Sequence, residues 1–160
     1  MIETGLASAI LAAAVGSSLI AGVFFAFSSF VMAGLRNVPV AQGVAAMQAI
    51  NVTVLRSTFL AVFMATAVLS ALLIVVAVLR WGRPGCMYIV VGGLCYVIGS
   101  FLVTAVFNVP LNDKLALVGG DALEMAEVWG VYLRDWMLWN HVRTVFSLLA
   151  ALFFILAHAT

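Results

Sequence analysis

Long apolar runs divide the chain into four segments without charged residues. No Asp, Glu, Lys or Arg occurs at residues 4–35, 57–79, 84–112 or 144–160. Each of these runs approaches or exceeds the roughly 20 apolar residues that cross a bilayer as an α-helix. The pattern therefore predicts four membrane-spanning helices, at roughly residues 4–35, 52–79, 86–108 and 138–158.

Proline and capping signals indicate where these helices begin and end. Pro39 suits the first turn of a helix, and no residue at 40–79 breaks the helical pattern decisively. A helix of that length would measure about 60 Å, twice the hydrocarbon core, so its first part is expected outside the membrane or at its surface. Pro110 is expected to end the third span. Asp121 is expected to cap a fourth helix that continues to about Ala157.

Composition places the whole chain in a membrane. Apolar residues fill 66% of the 160 positions and charged residues 8%, whereas soluble domains are about 45–50% apolar and about 25% charged. The mean hydropathy is +1.26. These values exclude a soluble enzyme, a disordered chain and a secreted disulfide scaffold. The expected fold class is an all-α membrane protein, a single domain over residues 1–160. It is a four-helix antiparallel transmembrane bundle whose helices extend beyond the bilayer on one side.

The charges that remain say little about a macromolecular partner. Seven basic and six acidic residues give a net charge of +1 without a basic patch, so nucleic acid is not expected to bind.

The first apolar run is too long for a signal peptide and lacks its basic start, which favours a retained span. We expect an integral protein of a bacterial inner membrane. The short turn with Arg80 and Arg83 favours cytoplasmic termini, although the opposite side has more basic residues, five against two.

Small residues repeat along the first span. Ser18, Gly22 and Ala26 are four positions apart, the spacing that allows close contact between membrane helices. One hypothesis is therefore a structural membrane subunit in which this stripe forms a homo-oligomer.

Polar residues gather on the side of the bundle opposite the termini. In an antiparallel bundle the end of the first span, the start of the second, the end of the third and the start of the fourth meet there. The polar residues of these segments are Gln48, Asn51, Arg56, Asn108, Asn112, Asp113, Asn140, His141 and Arg143. Their convergence makes this side the candidate functional site.

The fourth helix shows what such a site could hold. Tyr132, Trp136, Asn140 and Arg143 share one face, and His141 lies about 100° around the helix from Asn140. Aromatic rings pack against flat apolar ligands, while an amide and a guanidinium hold oxygen atoms. We therefore expect a hydrophobic aromatic small molecule with one or two oxygens as the ligand, in addition to the lipid bilayer.

Each of these residues also has a purely structural explanation. Arg56 and Arg143 can snorkel to the interface, and Trp136 can belong to an aromatic belt. Asn108 and Asn112 can serve the turn around Pro110. Other polar side chains can join helices by hydrogen bonds, as Gln48, Asn51 and His141 would.

A protein-bound metal is not expected. The two histidines, His141 and His158, are seventeen positions apart on one helix, or about 25 Å along its axis. They cannot both bind one ion or one haem within a single chain.

Four stretches of the sequence resemble a known family. They are residues 22–35 and 46–51, Asn-Val-Pro-Leu-Asn at 108–112 and Trp-Asn-His-Val-Arg-Thr at 139–144. The chain resembles the anthrone oxygenase-like membrane proteins over about residues 15–150. This resemblance implies a four-span bundle and, as in the characterised branch, oxidation of an anthrone to an anthraquinone by molecular oxygen without metal or flavin.

The resemblance also implies roles for the candidate residues. His141 would be the general base, and Asn140 and Arg143, with Asn108 or Asn51, would hold the enolate oxygen. Other residues would contact the rest of the substrate, namely Phe27, Gln48, Arg56, Asn112, Tyr132 and Trp136. The sequence thus predicts a cofactor-independent membrane oxygenase acting on a polycyclic phenolic or similar lipophilic substrate. The alternative is a non-catalytic membrane protein that binds a lipid, quinone or other hydrophobic metabolite.

Overall fold

The computed structural model describes residues 2–160, with side chains described from Thr4 onward, and its regular structure there is helical. Helix α1 comprises Ile2–Ala26, a π-helical turn at Phe27–Val31, and Met32–Arg36. Helix α2 is Val40–Val54 and helix α3 is Thr58–Leu79. Helix α4 comprises Cys86–Leu94, the π-helical stretches Cys95–Leu102 and Thr104–Asn108, and Val109–Ala116, and helix α5 is Ala122–His158.

Four of these helices are long and apolar enough to cross a membrane. They are Thr4–Arg36 of α1, Thr58–Leu79, Cys86–Ala116 and Ala122–His158. The prediction of an all-α membrane protein with four spanning helices is confirmed. The predicted cap of the last helix is also confirmed, because Asp121 Oδ1 accepts hydrogen bonds from the backbone N–H groups of Leu123 (2.8 Å) and Glu124 (3.1 Å).

The bundle has two apolar clusters, one toward each end. Helix α5 packs most extensively against α1 and also against α4. The cluster nearer the termini includes Ile10, Phe63 and Phe154, and the other includes Met47 and Trp136. The C-terminus approaches the turn at residues 80–85, because a Cβ on Gly85 would lie 2.5 Å from Thr160 Oγ1. The C-terminus and this turn therefore share one end of the bundle.

The predicted unbroken helix over residues 40–79 is wrong. Helix α2 ends at Val54, and Ser57 is extended, with φ −96° and ψ 158°. The Ser57 hydroxyl donates to the Val54 carbonyl over 2.8 Å. A serine side chain that bonds nearby backbone competes with the helix, and this local effect is invisible in an apolar pattern.

Pro110 does not end the third span as predicted. Pro110 lies in the first turn of Val109–Ala116, where a helix tolerates proline. The π-helical stretch Thr104–Asn108 directly precedes this helical segment. Helix α4 therefore continues to Ala116 and carries Asn112 and Asp113 with it.

The stripe of small residues on α1 does not form the close contact inside the bundle. Ser18 and Gly22 are exposed, and no other described atom lies within 4 Å of a Cβ built on Gly22. The close approach is made instead at Gly16, where an added Cβ would collide with Thr66 of α3. Gly16 thus sets the distance between α1 and α3.

Candidate functional site

A cavity of about 480 Å³ lies where the two apolar clusters meet. All five helices contribute to its wall, for example through Phe27 of α1, Met47 of α2, Phe63 of α3, Thr104 of α4 and Trp136 of α5. Small-molecule pockets usually measure about 300–1,000 Å³ and are mostly apolar with a few placed polar groups. The cavity has this size and character.

Arg143 supplies the positive charge of the cavity wall. Arg143 is 4% exposed. Its Nη2 donates a hydrogen bond to Asn140 Oδ1 over 2.7 Å, and its Nη1 donates one to Thr104 Oγ1 over 3.3 Å. The guanidinium carbon lies 4.2 Å from the ring centre of Phe24 and 5.1 Å from that of Trp136. Two cation–π contacts and two hydrogen bonds thus replace part of its hydration.

The charge of Arg143 is not neutralised within the described chain. No described carboxylate lies within salt-bridge distance of it, and its buried Nε has no hydrogen-bond partner among the described residues. An arginine stays protonated in proteins, and a buried charge without a counter-ion is costly. The guanidinium is therefore suited to bind an anionic oxygen in the cavity.

Asn140 fixes this arginine to the first span. Besides accepting from Arg143, its Nδ2 donates to the Phe24 carbonyl over 2.8 Å and to Ser28 Oγ over 2.7 Å. Ser28 Oγ in turn lies 3.1 Å from Thr144 Oγ1. Phe24 and Ser28 flank the start of the π-helical turn in α1, so this network ties α5 to that turn and orients the guanidinium.

Asn112 and Asn108 both bind Trp136, Asn112 at the indole and Asn108 at the backbone carbonyl. Asn112 Oδ1 accepts from Trp136 Nε1 over 2.9 Å and from the Tyr132 hydroxyl over 2.8 Å. Asn108 Nδ2 donates to the Trp136 carbonyl over 3.2 Å. Phe27 and Trp136 have ring centres 5.7 Å apart. Two amides of α4 therefore hold one aromatic side of the cavity.

Helix α2 brings two amide side chains to the cavity. Gln48 donates from Nε2 to the Leu115 carbonyl over 2.8 Å, which joins α2 to the end of α4. Asn51 lines the cavity, and its Nδ2 is buried without a hydrogen-bond partner among the described residues. An unsatisfied buried donor is unfavourable, so Asn51 is suited to donate to an oxygen of a ligand.

The structure brings most of the predicted residues together, in two layers. The residues that line the cavity are Phe27, Gln48, Asn51, Asn112, Trp136 and Arg143. Tyr132, Asn108 and Asn140 are buried outside that lining and support Asn112, Trp136 and Arg143 through the hydrogen bonds given above.

Two predicted residues, His141 and Arg56, do not line this cavity. His141 is exposed and absent from the lining, because the face of α5 that points inward is the one with Asn140 and Arg143. Arg56 is exposed in the turn between α2 and α3, where the break at residues 55–57 turns it away.

The structure also brings to the cavity residues for which the sequence predicted no role in catalysis or substrate binding. Asp113 is the only acidic side chain among the described lining residues, and Phe24 and Thr104 contact the Arg143 guanidinium. Asp113 belongs to the polar side of the predicted bundle, next to Asn112. Its place in the wall follows from the continuation of α4 past Pro110, for which the sequence gives no clear signal.

Comparison with known proteins gives one match. The family model described as anthrone oxygenase matches residues 55–153, which contain Thr104, Asn112, Asp113, Trp136 and Arg143. A search of curated proteins and a search of solved structures each found no match. The matched stretch is more than half of the chain and includes α3, α4 and most of α5. The chain belongs to the anthrone oxygenase family.

Proposed function

We propose that this protein is a cofactor-independent membrane oxygenase that oxidises a polycyclic phenolic substrate of the anthrone type with molecular oxygen. The observation that carries the proposal is the buried guanidinium of Arg143, without a described carboxylate partner, in the wall of an aromatic cavity. Membership of the anthrone oxygenase family supports the same reaction.

The reaction needs a base and a site for negative charge, and O₂ is the oxidant. The methylene group of an anthrone is acidic because the ring carbonyl accepts the charge of its carbanion. The carbanion forms a carbon–oxygen bond with O₂, and the resulting hydroperoxide loses water to give the quinone carbonyl. One anthrone and one O₂ yield one anthraquinone and one water, so the methylene carbon loses the four electrons that O₂ gains.

The cavity offers a partner for each part of such a substrate. Arg143 would hold the enolate oxygen, and Asn51 Nδ2 supplies a further donor without a partner of its own. Preorganised donors at a developing oxyanion are usually the largest contribution to catalysis of this kind. Phe27 and Trp136 would pack against the fused rings.

Oxygen uptake by the purified protein tests the proposal. In mild detergent, with emodin anthrone as the probe, we expect O₂ consumption above the rate without protein and one molecule of emodin formed per O₂. Mass spectrometry with ¹⁸O₂ should place one labelled oxygen in the quinone. Tight binding of unchanged anthrone without O₂ uptake would contradict the proposal and indicate a non-catalytic binding protein instead.

A further inference from the structure

Asp113 and Arg143 are the two charged side chains among the described residues that line the cavity. It lies on α4 directly after Asn112 and lines the same cavity as Arg143, Phe27 and Trp136. Asp113 is exposed, whereas Arg143 is 4% exposed. The two charges therefore occupy different depths, the cation inside and the carboxylate where the wall meets the surroundings.

This arrangement separates the two chemical tasks of the proposed reaction. A guanidinium does not accept a proton near neutral pH, so Arg143 can stabilise the enolate oxygen but cannot remove the methylene proton. Tyr132 is also unsuited to this task, because its hydroxyl is buried outside the cavity lining and donates to Asn112. His141 faces outward. Of the described residues that line the cavity, Asp113 is the one that carries a carboxylate, which can accept a proton.

We propose that Asp113 is the general base that removes the methylene proton of the substrate, an inference that rests on the proposed oxygenase function. The carboxylate takes one methylene proton, and the electron pair of that C–H bond passes into the enolate held by Arg143. After the carbanion is oxidised by O₂ and the C–O bond forms, protonated Asp113 returns the proton to the peroxide oxygen.

The same carboxylate then completes the reaction. It removes the second proton from the former methylene carbon, the C–H electron pair becomes the π bond of the new carbonyl, and the O–O bond breaks with departure of hydroxide. Hydroxide takes the proton from Asp113 and leaves as water. Asp113 ends the cycle as a carboxylate, so one exposed acid is sufficient for both proton transfers.

Hydrogen exchange without oxygen isolates the first proton transfer. Wild-type protein in D₂O under argon should introduce deuterium into the methylene group of emodin anthrone faster than buffer and detergent do. General acid–base catalysis contributes about 10²–10⁴-fold to a rate. We therefore expect Asp113→Asn to lower both this exchange and aerobic turnover about 100-fold or more, toward the background.

Three comparisons distinguish a base from a structural residue. Asp113→Glu keeps a carboxylate and should retain measurable exchange, and added formate should partly restore exchange to Asp113→Ala. The matched control is Asp135→Asn, because Asp135 is an acid at the same end of the bundle that pairs with Arg134 over 2.7 Å outside the cavity. This control should exchange like wild type, and thermal unfolding should show all variants folded.

The outcomes separate this inference from the function on which it rests. Normal exchange by folded Asp113→Asn would overturn the role of Asp113 while leaving the oxygenase function intact. Loss of exchange in His141→Gln with normal exchange in Asp113→Asn would assign the base to His141 instead. A wild-type protein that neither exchanges the methylene hydrogens nor consumes O₂ would contradict the proposed function itself.

Discussion

At the scale of single residues, Arg143 keeps its charge in an apolar wall because its neighbours replace lost water. Phe24 and Trp136 face the guanidinium, and Asn140 and Thr104 accept two of its hydrogen bonds. Each of these contacts uses the planar shape of the group. A lysine ammonium is a compact point charge and cannot make them together.

Arg143→Lys should therefore lose most of the catalytic rate although the charge remains. Removing one oxyanion donor typically costs about 10²–10³-fold in kcat, and we expect a decrease in kcat of about 100-fold in the anthrone assay. Arg134→Lys is the matched control, because Arg134 is exposed and pairs with Asp135 outside the cavity. It should behave like wild type. Full activity of Arg143→Lys would mean that the fork geometry of the guanidinium is unimportant.

The residues at the centre of the inward face of α5 could be predicted from sequence. Which neighbouring residues belong to that face could not. The spacing of Tyr132, Trp136, Asn140 and Arg143 places them on one face, and all four are buried. The same spacing puts His141 about 100° away, and the structure shows that this rotation turns it outward. In a membrane the outward positions are also apolar, so hydropathy does not show which neighbours of a polar stripe point inward.

At the scale of helices, the existence and number of spanning segments followed from hydropathy, whereas their interruptions did not. The break at residues 55–57 depends on the Ser57 hydroxyl and its bond to Val54, and the passage of α4 through Pro110 depends on a π-helical stretch. Both are local backbone effects that hydropathy does not show. Both affect the site. The break makes α2 a helix separate from α3, and the continuation of α4 past Pro110 brings Asp113 to the cavity.

Helix α2 is positioned by a close contact at Gly43. A Cβ built there would lie 2.8 Å from the Leu35 carbonyl oxygen and 3.0 Å from Trp129 Cζ2. Since the backbone carbonyl cannot move aside cheaply, Gly43→Ala should displace α2, which carries Asn51 to the cavity. Overpacking of this kind costs about 1–3 kcal/mol. We expect a lower midpoint of thermal unfolding in detergent and a lower rate of anthrone oxidation.

Gly34→Ala is the control for this substitution. Gly34 is also helical, and no other described atom lies within 4 Å of its added Cβ. Alanine is favoured over glycine inside a helix by about 0.5–1 kcal/mol, so this variant should be as stable as wild type or more so. Equal unfolding midpoints for Gly43→Ala and Gly34→Ala would show that α2 is not held by the contact at Gly43.

At the scale of the whole molecule, the two ends of the antiparallel bundle are built differently. One end holds the C-terminus and the turn at residues 80–85, and the other holds α2, the end of α4 and the start of α5. Asp113 and Asn112 lie toward the second end, where the apolar run of α4 gives way to polar residues. A lipophilic substrate dissolved in the bilayer would therefore reach the site near one membrane surface.

Cysteine labelling decides which surface this is. In a background without Cys86 and Cys95, Trp81→Cys and Thr160→Cys should react with a membrane-impermeant maleimide from the same side, and Gly119→Cys from the opposite side. These three positions are exposed. Arg80 and Arg83 in the short turn lead us to expect the first pair in the cytoplasm, so only Gly119→Cys should label in intact cells.

Two outcomes would contradict this expectation. If Trp81→Cys and Thr160→Cys label in intact cells and Gly119→Cys does not, the orientation is the opposite one and the site lies at the cytoplasmic surface. Labelling of Trp81→Cys and Thr160→Cys from different sides would contradict the antiparallel bundle itself, because the contact of Gly85 with Thr160 requires both at one end.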